Sequence, residues 1–132
     1  MAEVPQTITL GNQVFIRTTD MIVKTLSQTI PTTTLTLHDE AGVNYQVPTG
    51  KVFKALEITL ANEGTGGLSS LWDSASADSA TGTLVIIAIN LAGSSVLPTT
   101  NINIDFAVDR FVNGQINAAS GSMLIVGIEM DA

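Results

Sequence analysis

Apolar and polar positions in this chain alternate mostly with a period of two, the spacing of strands that bury one face. The stretch Gln46 to Asn62 (QVPTGKVFKALEITLAN) sets the pattern. Pro48 and Gly50 supply turn chemistry, since proline pre-sets φ and glycine tolerates positive φ. A run from Val52 to Leu60 without proline or glycine follows. Val52, Leu56, Ile58 and Leu60 share one parity, with Lys54 as the exception, and Phe53, Ala55, Glu57 and Thr59 share the other. The expectation is a strand with one strongly buried face and one mixed face.

The same reading extends in both directions. Thr7–Leu10 and Val14–Thr18 predict short strands around the turn pair Gly11-Asn12. Met21–Thr29 fits a helical period as well, but its β-branched residues favour a strand that Pro31 ends. Thr33–His38 alternates with Leu35 and Leu37 inward. A polar turn at Asp39-Glu40-Ala41-Gly42 leads to a short strand at Asn44–Val47. Leu84–Asn90 is apolar enough for burial on both faces, and the LAGSSVLPTT stretch after it, with Gly93 and Pro98, reads as a connection. Ile102, Ile104, Phe106 and Val108 alternate cleanly with polar or small residues. Asn113-Gly114 reads as a tight turn, and Ser122–Met130 as a final strand with Gly127 a candidate bulge. About eight strands, with turn signals between them and no long helix, predict an all-β antiparallel sandwich or barrel forming one domain over residues 1–132.

One segment departs from the pattern. Glu63–Gly82 is dominated by Gly, Ser, Ala and Asp and predicts a long loop. Leu68, Leu71 and Trp72, the only tryptophan, lie in its middle. They either cover an edge of the chain's own sandwich or anchor a partner, a role in which tryptophan is enriched.

Composition narrows the function. Charged residues make up 13% of the chain, about half the usual ~25%, and the 17 threonines suit a pleated sheet. The net charge of −7 arises wholly after residue 54, where Arg110 stands alone against eight acids. Such a chain repels phosphates, which argues against nucleic acid as a partner. The longest apolar run, Leu84–Ile89, is far shorter than the ~20 residues of a membrane helix. The N-terminus lacks the basic and apolar regions of a secretory signal, so a product made in the cytoplasm is expected.

No catalytic, cofactor or metal set emerges. His38 is the only histidine, and its neighbour Asp39 points to the opposite strand face, so the two do not make a triad. With one histidine and no cysteine, the usual zinc and copper sites are excluded. Asp73 with Asp78, or Asp39 with Glu40, offers oxygen ligands for calcium without matching an EF-hand loop. Paired acids for glycoside hydrolysis depend on spatial placement, but six aromatic residues are few for a sugar cleft. Gly64 to Gly67 lacks the Gly-Lys-Ser/Thr of a phosphate loop.

The Val-Pro-x-Gly-Lys-x-Phe turn and strand at Val47–Phe53, in a cysteine-free β chain rich in Thr, Ala and Gly, resembles the small jelly-roll head decoration (cement) proteins of tailed phages. The resemblance covers the general layout, with these seven residues as its sharpest part. It implies a jelly-roll sandwich on the outside of an icosahedral virion, commonly a homotrimer, that binds the major capsid protein and stabilises the shell. No catalytic residue comes with it. The alternative is a receptor- or carbohydrate-binding β-sandwich of a tail fibre or similar adhesin.

Overall fold

The computed structural model describes residues 6–18, 20–31, 33–63, 67–91, 95–117 and 120–132. Ten strands occur among them: β1 (Thr7–Leu10), β2 (Gln13–Ile16), β3 (Ile22–Ile30), β4 (Thr34–Thr36), β5 (Lys51–Glu63), β6 (Gly67–Ser74), β7 (Thr83–Leu91), β8 (Ser95–Phe106), β9 (Phe111–Asn117) and β10 (Ser120–Asp131). They form a β1-β2 hairpin and two four-stranded sheets, β3-β10-β5-β8 and β4-β9-β6-β7. Every pairing is antiparallel. Among them β3 pairs with β10, β4 with β9, β5 with β8 and β6 with β7. Strands β3 to β10 therefore run like a double ribbon closed at the β6–β7 connection, further joined by the β5-β10 and β6-β9 pairs.

The two larger sheets pack face to face in a sandwich-like arrangement. Leu26, Ile30, Phe53, Ala55, Ile58, Leu60, Phe106, Met123 and Ile125 from one sheet meet Leu71, Val112 and Ile116 from the other. Leu37, Tyr45 and Val47 close one end of this core. The Phe53 ring stands edge-on to Tyr45, with centroids 5.3 Å apart, and packs on Phe106 at 6.2 Å.

The central strand β5 departs from the single parity its sequence suggests. Val126 pairs with Glu57 and Gly127 with Ala55, so Leu56 has no partner across β10 and forms a bulge. An extra residue reverses the side-chain alternation. Phe53 and Ala55 face the core before it, Ile58 and Leu60 after it. Lys54 ceases to be an exception: it points out and pairs with Asp105 of β8 at 2.8 Å. Leu56 is turned to the outer side, where it is buried with Ile8 and Ile128 beneath the β1-β2 hairpin. That hairpin turns at Gly11 (φ 59) and Asn12 (φ 62), the left-handed pair of a type I′ turn.

Four further expectations are corrected. Residues 63–82 are not one long loop, because Gly67–Ser74 is β6, an inner strand of its sheet. The Asn113-Gly114 pair is not a turn but lies within β9. Gly114 is required there by closeness: a Cβ would lie 2.6 Å from Ile30 Cδ1 and 3.0 Å from Met123 Sδ of the facing sheet. Ser95–Thr100 belongs to β8 despite Pro98, because β8 is a sheet-edge strand where a missing N–H is tolerated. Asn44–Val47 forms isolated bridges to His38 and Phe111 in place of a strand. The β7 strand is likewise at an edge, and Leu84 is exposed.

Replacing Gly114 with alanine forces Ile30 and Met123 aside and is expected to lower stability by ~1–3 kcal/mol. Urea denaturation followed by circular dichroism checks this, and an unchanged midpoint would show the sheets have slack there.

Candidate interaction face

Strand β6 distributes the three residues singled out by sequence between two environments. Its register against β9 is regular, so alternate residues take opposite faces. Leu71 is fully buried in the core between the sheets, where no partner reaches it. Leu68 and Trp72 lie on the outer face, Leu68 exposed and Trp72 half-buried. Both therefore stand on a strand in the middle of a sheet, and not on a loop.

The outer face is organised around Gln115 of β9. The indole Nε1–H of Trp72 donates to Gln115 Oε1 at 3.1 Å, and the Ser70 hydroxyl donates to the same oxygen at 3.4 Å. Across the strands Trp72 stands next to Leu84 on β7 and Asn113 on β9. Asn113 is buried because the 75–82 turn folds over it. Its amide Nδ2 donates to the carbonyls of Ser76 (2.9 Å) and Ser79 (2.8 Å), and its Oδ1 accepts from the Thr36 hydroxyl at 2.8 Å. Thr36 N–H donates to Asp78 Oδ1 and Asp78 N–H donates to Thr36 Oγ1, both at 2.8 Å. The turn thus satisfies an edge amide of β4 that no strand pairs.

Charge divides the two sheets. The sequences of β4, β6, β7 and β9 contain one ionisable side chain, Asp73. Arg110 neutralises it, with Nε 2.6 Å from Asp73 Oδ1 and Nη2 2.8 Å from the Asp73 carbonyl. The strands of the other sheet carry Lys24, Lys51, Lys54, Glu57, Glu63, Asp105, Glu129 and Asp131. That sheet's outer face is also covered in part by the β1-β2 hairpin. The strands of the β4-β9-β6-β7 sheet therefore turn outward Trp72, Leu68, Leu84, hydroxyls and amides, with the exposed Asp78 on the turn that covers one end.

The other sequence candidates are engaged in structure. His38 Nε2 lies 3.0 Å from Gln28 Nε2, and its backbone bridges Ser27. Asp39 Oδ1 accepts from the amides of Ala41 and Val43, so it orients its own turn and not His38. Asp73 and Asp78 are used as described above, and Glu40 accepts from Thr25 N–H at 2.6 Å. Among the described residues no three His, Asp or Glu side chains converge on a metal position. An open groove of about 530 Å³ runs beside His38, lined by Thr25, Ser27, Thr29, Asp39 and Glu40 among others.

Sequence reasoning missed Glu129, which is buried and accepts from the Tyr45 hydroxyl at 2.7 Å. The available signal was an acid interrupting an apolar strand in a chain with a single tyrosine. Burial, and then the bond to Glu129, push the Tyr45 hydroxyl well above its ordinary value. Comparison with protein-family models, curated proteins and solved structures finds no match.

Leu71→Ala is expected to cost ~2–5 kcal/mol of stability, while Trp72→Ala, on the outer face, costs clearly less; equal losses in urea denaturation would put Trp72 in the core. Because the folded state raises the Tyr45 pKa, the associated stability is complete below pH ~10 and is lost as pH climbs towards the folded value. Alkaline titration of the melting temperature should therefore fall more steeply in the native chain than in Tyr45→Phe.

Proposed function

We propose that this chain is a structural, non-enzymatic virion protein that decorates the outer surface of an icosahedral phage head. In this reading it binds the major capsid protein, acts as a homo-oligomer and stabilises the shell. The observation that carries the reading is the sparsely charged outer face of β4-β9-β6-β7, where Asp78 on the turn at one end is the acid. A tryptophan held by Gln115 and flanked by exposed Leu68 and Leu84, on strands whose one acid is paired, is chemistry suited to burial against protein. The strand pairing supports the jelly-roll class: eight strands, first with last and so on inwards, in two four-stranded sheets. Binding only the assembled shell would raise its stability by mass action, against the pressure of packaged DNA.

Purified chain is expected to co-sediment with phage heads. Trp72→Ala should weaken that binding by roughly 2 kcal/mol, about 30-fold, with the circular dichroism spectrum unchanged. A chain that never associates with heads overturns the reading.

A second reading, a receptor- or carbohydrate-binding module, is favoured by the groove beside His38 with its hydroxyls and carboxylates. Among the described residues no Phe, Tyr or Trp lines that groove, so it lacks the stacking platform sugars normally use. A glycan array comparing the native chain with the double variant Ser27→Ala and Glu40→Ala separates the two: sugar binding lost on those changes supports this second reading.

A further inference from the structure

We propose that Asn113 is a self-modification site that only the unfolded chain can use, and that its use there removes the ability to refold. Asn113-Gly114 is the one Asn-Gly pair in the sequence. In a flexible chain such a pair is chemically labile. The Gly114 backbone nitrogen, having given its proton to solvent base, attacks Cγ of the Asn113 side chain. The new C–N bond closes a cyclic imide, the Cγ–Nδ2 bond breaks, and ammonia leaves. Water then opens the imide at either carbonyl. The product is aspartate, or an isoaspartate whose main chain runs through the former side chain. Nothing is oxidised or reduced. Glycine makes the attack easy, because no Cβ crowds the approaching nitrogen.

The fold imposes this pair and also disarms it. Gly114 is held to glycine because a Cβ would lie 2.6 Å from Ile30 Cδ1 and 3.0 Å from Met123 Sδ. Asn113 is held to asparagine because its position calls for two donors and an acceptor. Its Nδ2 donates to the Ser76 and Ser79 carbonyls at 2.9 and 2.8 Å, and its Oδ1 accepts from the Thr36 hydroxyl at 2.8 Å. To meet the Gly114 nitrogen this amide would have to swing away from all three partners. Gly114 itself stands between Leu35 of β4 and Leu71 of β6, and the N–H groups of an inner strand are taken up by its neighbours. Asn113 is also fully buried, which keeps base and water from it.

The product does not fit where the amide did. An aspartate at 113 turns acceptors towards the Ser76 and Ser79 carbonyls and buries a charge among them. Isoaspartate lengthens the main chain and moves the rest of β9 out of register with β4 and β6. Either way the 75–82 turn loses two of the bonds that pin it.

Peptide mapping by mass spectrometry tests this on the full chain, held at mildly alkaline pH in native buffer or in guanidinium chloride. The unfolded chain is expected to gain acid at Asn113 ahead of its other asparagines, and faster as pH rises. Native protein reacts only through the ~10⁻³ or fewer chains open at any time, so it should lag about 10³-fold or more. Once denaturant is removed, modified chains should collect in the fraction that fails to recover the native circular dichroism spectrum. Asn113→Asp, made directly, should behave as the aged chain does. Gly114→Ala, which need not fold for the comparison in denaturant, should slow the modification there. The proposal is overturned by equal rates in native and unfolded chain, by no preference for Asn113, or by an undiminished rate in Gly114→Ala. Aged chains or Asn113→Asp that refold with the native melting temperature overturn it as well.

Discussion

The fold turns on one unpaired residue in its longest strand. A strand of strict alternation can bury only one of its faces against a single core. The bulge at Leu56 lets β5 commit Phe53 and Ala55, then Ile58 and Leu60, to the space between the sheets. It also sends Leu56 outward to a second, smaller cluster with Ile8 and Ile128. That cluster is what holds the β1-β2 hairpin, since a two-stranded hairpin is marginal on its own. The same displacement aims Lys54 at Asp105, tying β5 to the edge strand β8. Exposed pairs of this kind add little stability; their role here is to complete the polar outer surface of that sheet.

The consequence is a molecule with two unlike sides. One sheet is charged and partly roofed by its own N-terminal hairpin. The strands of the other turn no charge outward, and it is roofed at one end, where the 75–82 turn with its acid Asp78 is pinned to Thr36 and Asn113. The side left open is the one whose burial costs least in desolvated charge. It is therefore better suited to lie against another protein than the surroundings of His38 or the scattered carboxylates.

Much of the fold was legible. The pattern of alternation, β-branched content and apolar runs placed β3, β5, the second half of β8 and β10, and Gly11-Asn12 marked the first hairpin. It failed where composition spoke against a strand that long-range pairing enforced. β6 contains Leu68, Leu71 and Trp72 at helical spacing among serines and glycines, and only its place between β9 and β7 makes it a strand. Gly114 mimics a turn residue because the facing Ile30 and Met123 leave no room for a side chain. The switch of parity within β5 is hidden because a bulge has no signature in hydrophobicity alone. As for the site, the sequence drew attention to Trp72 and Leu68 but could not separate them from Leu71. That division depends on which way β6 alternates, and the neighbouring strands decide it.

The hydrogen bond from the Trp72 indole to Gln115 has a further effect. A large side chain on an open sheet would ordinarily sample several rotamers and forfeit that freedom when covered, at ~0.5–1.5 kcal/mol for a rotamer-rich group. Here the ring is steered before any encounter, by an acceptor that Ser70 also engages. Whatever settles on this surface meets a preset knob, so less of its contact energy is consumed in ordering the anchor and more is retained as grip.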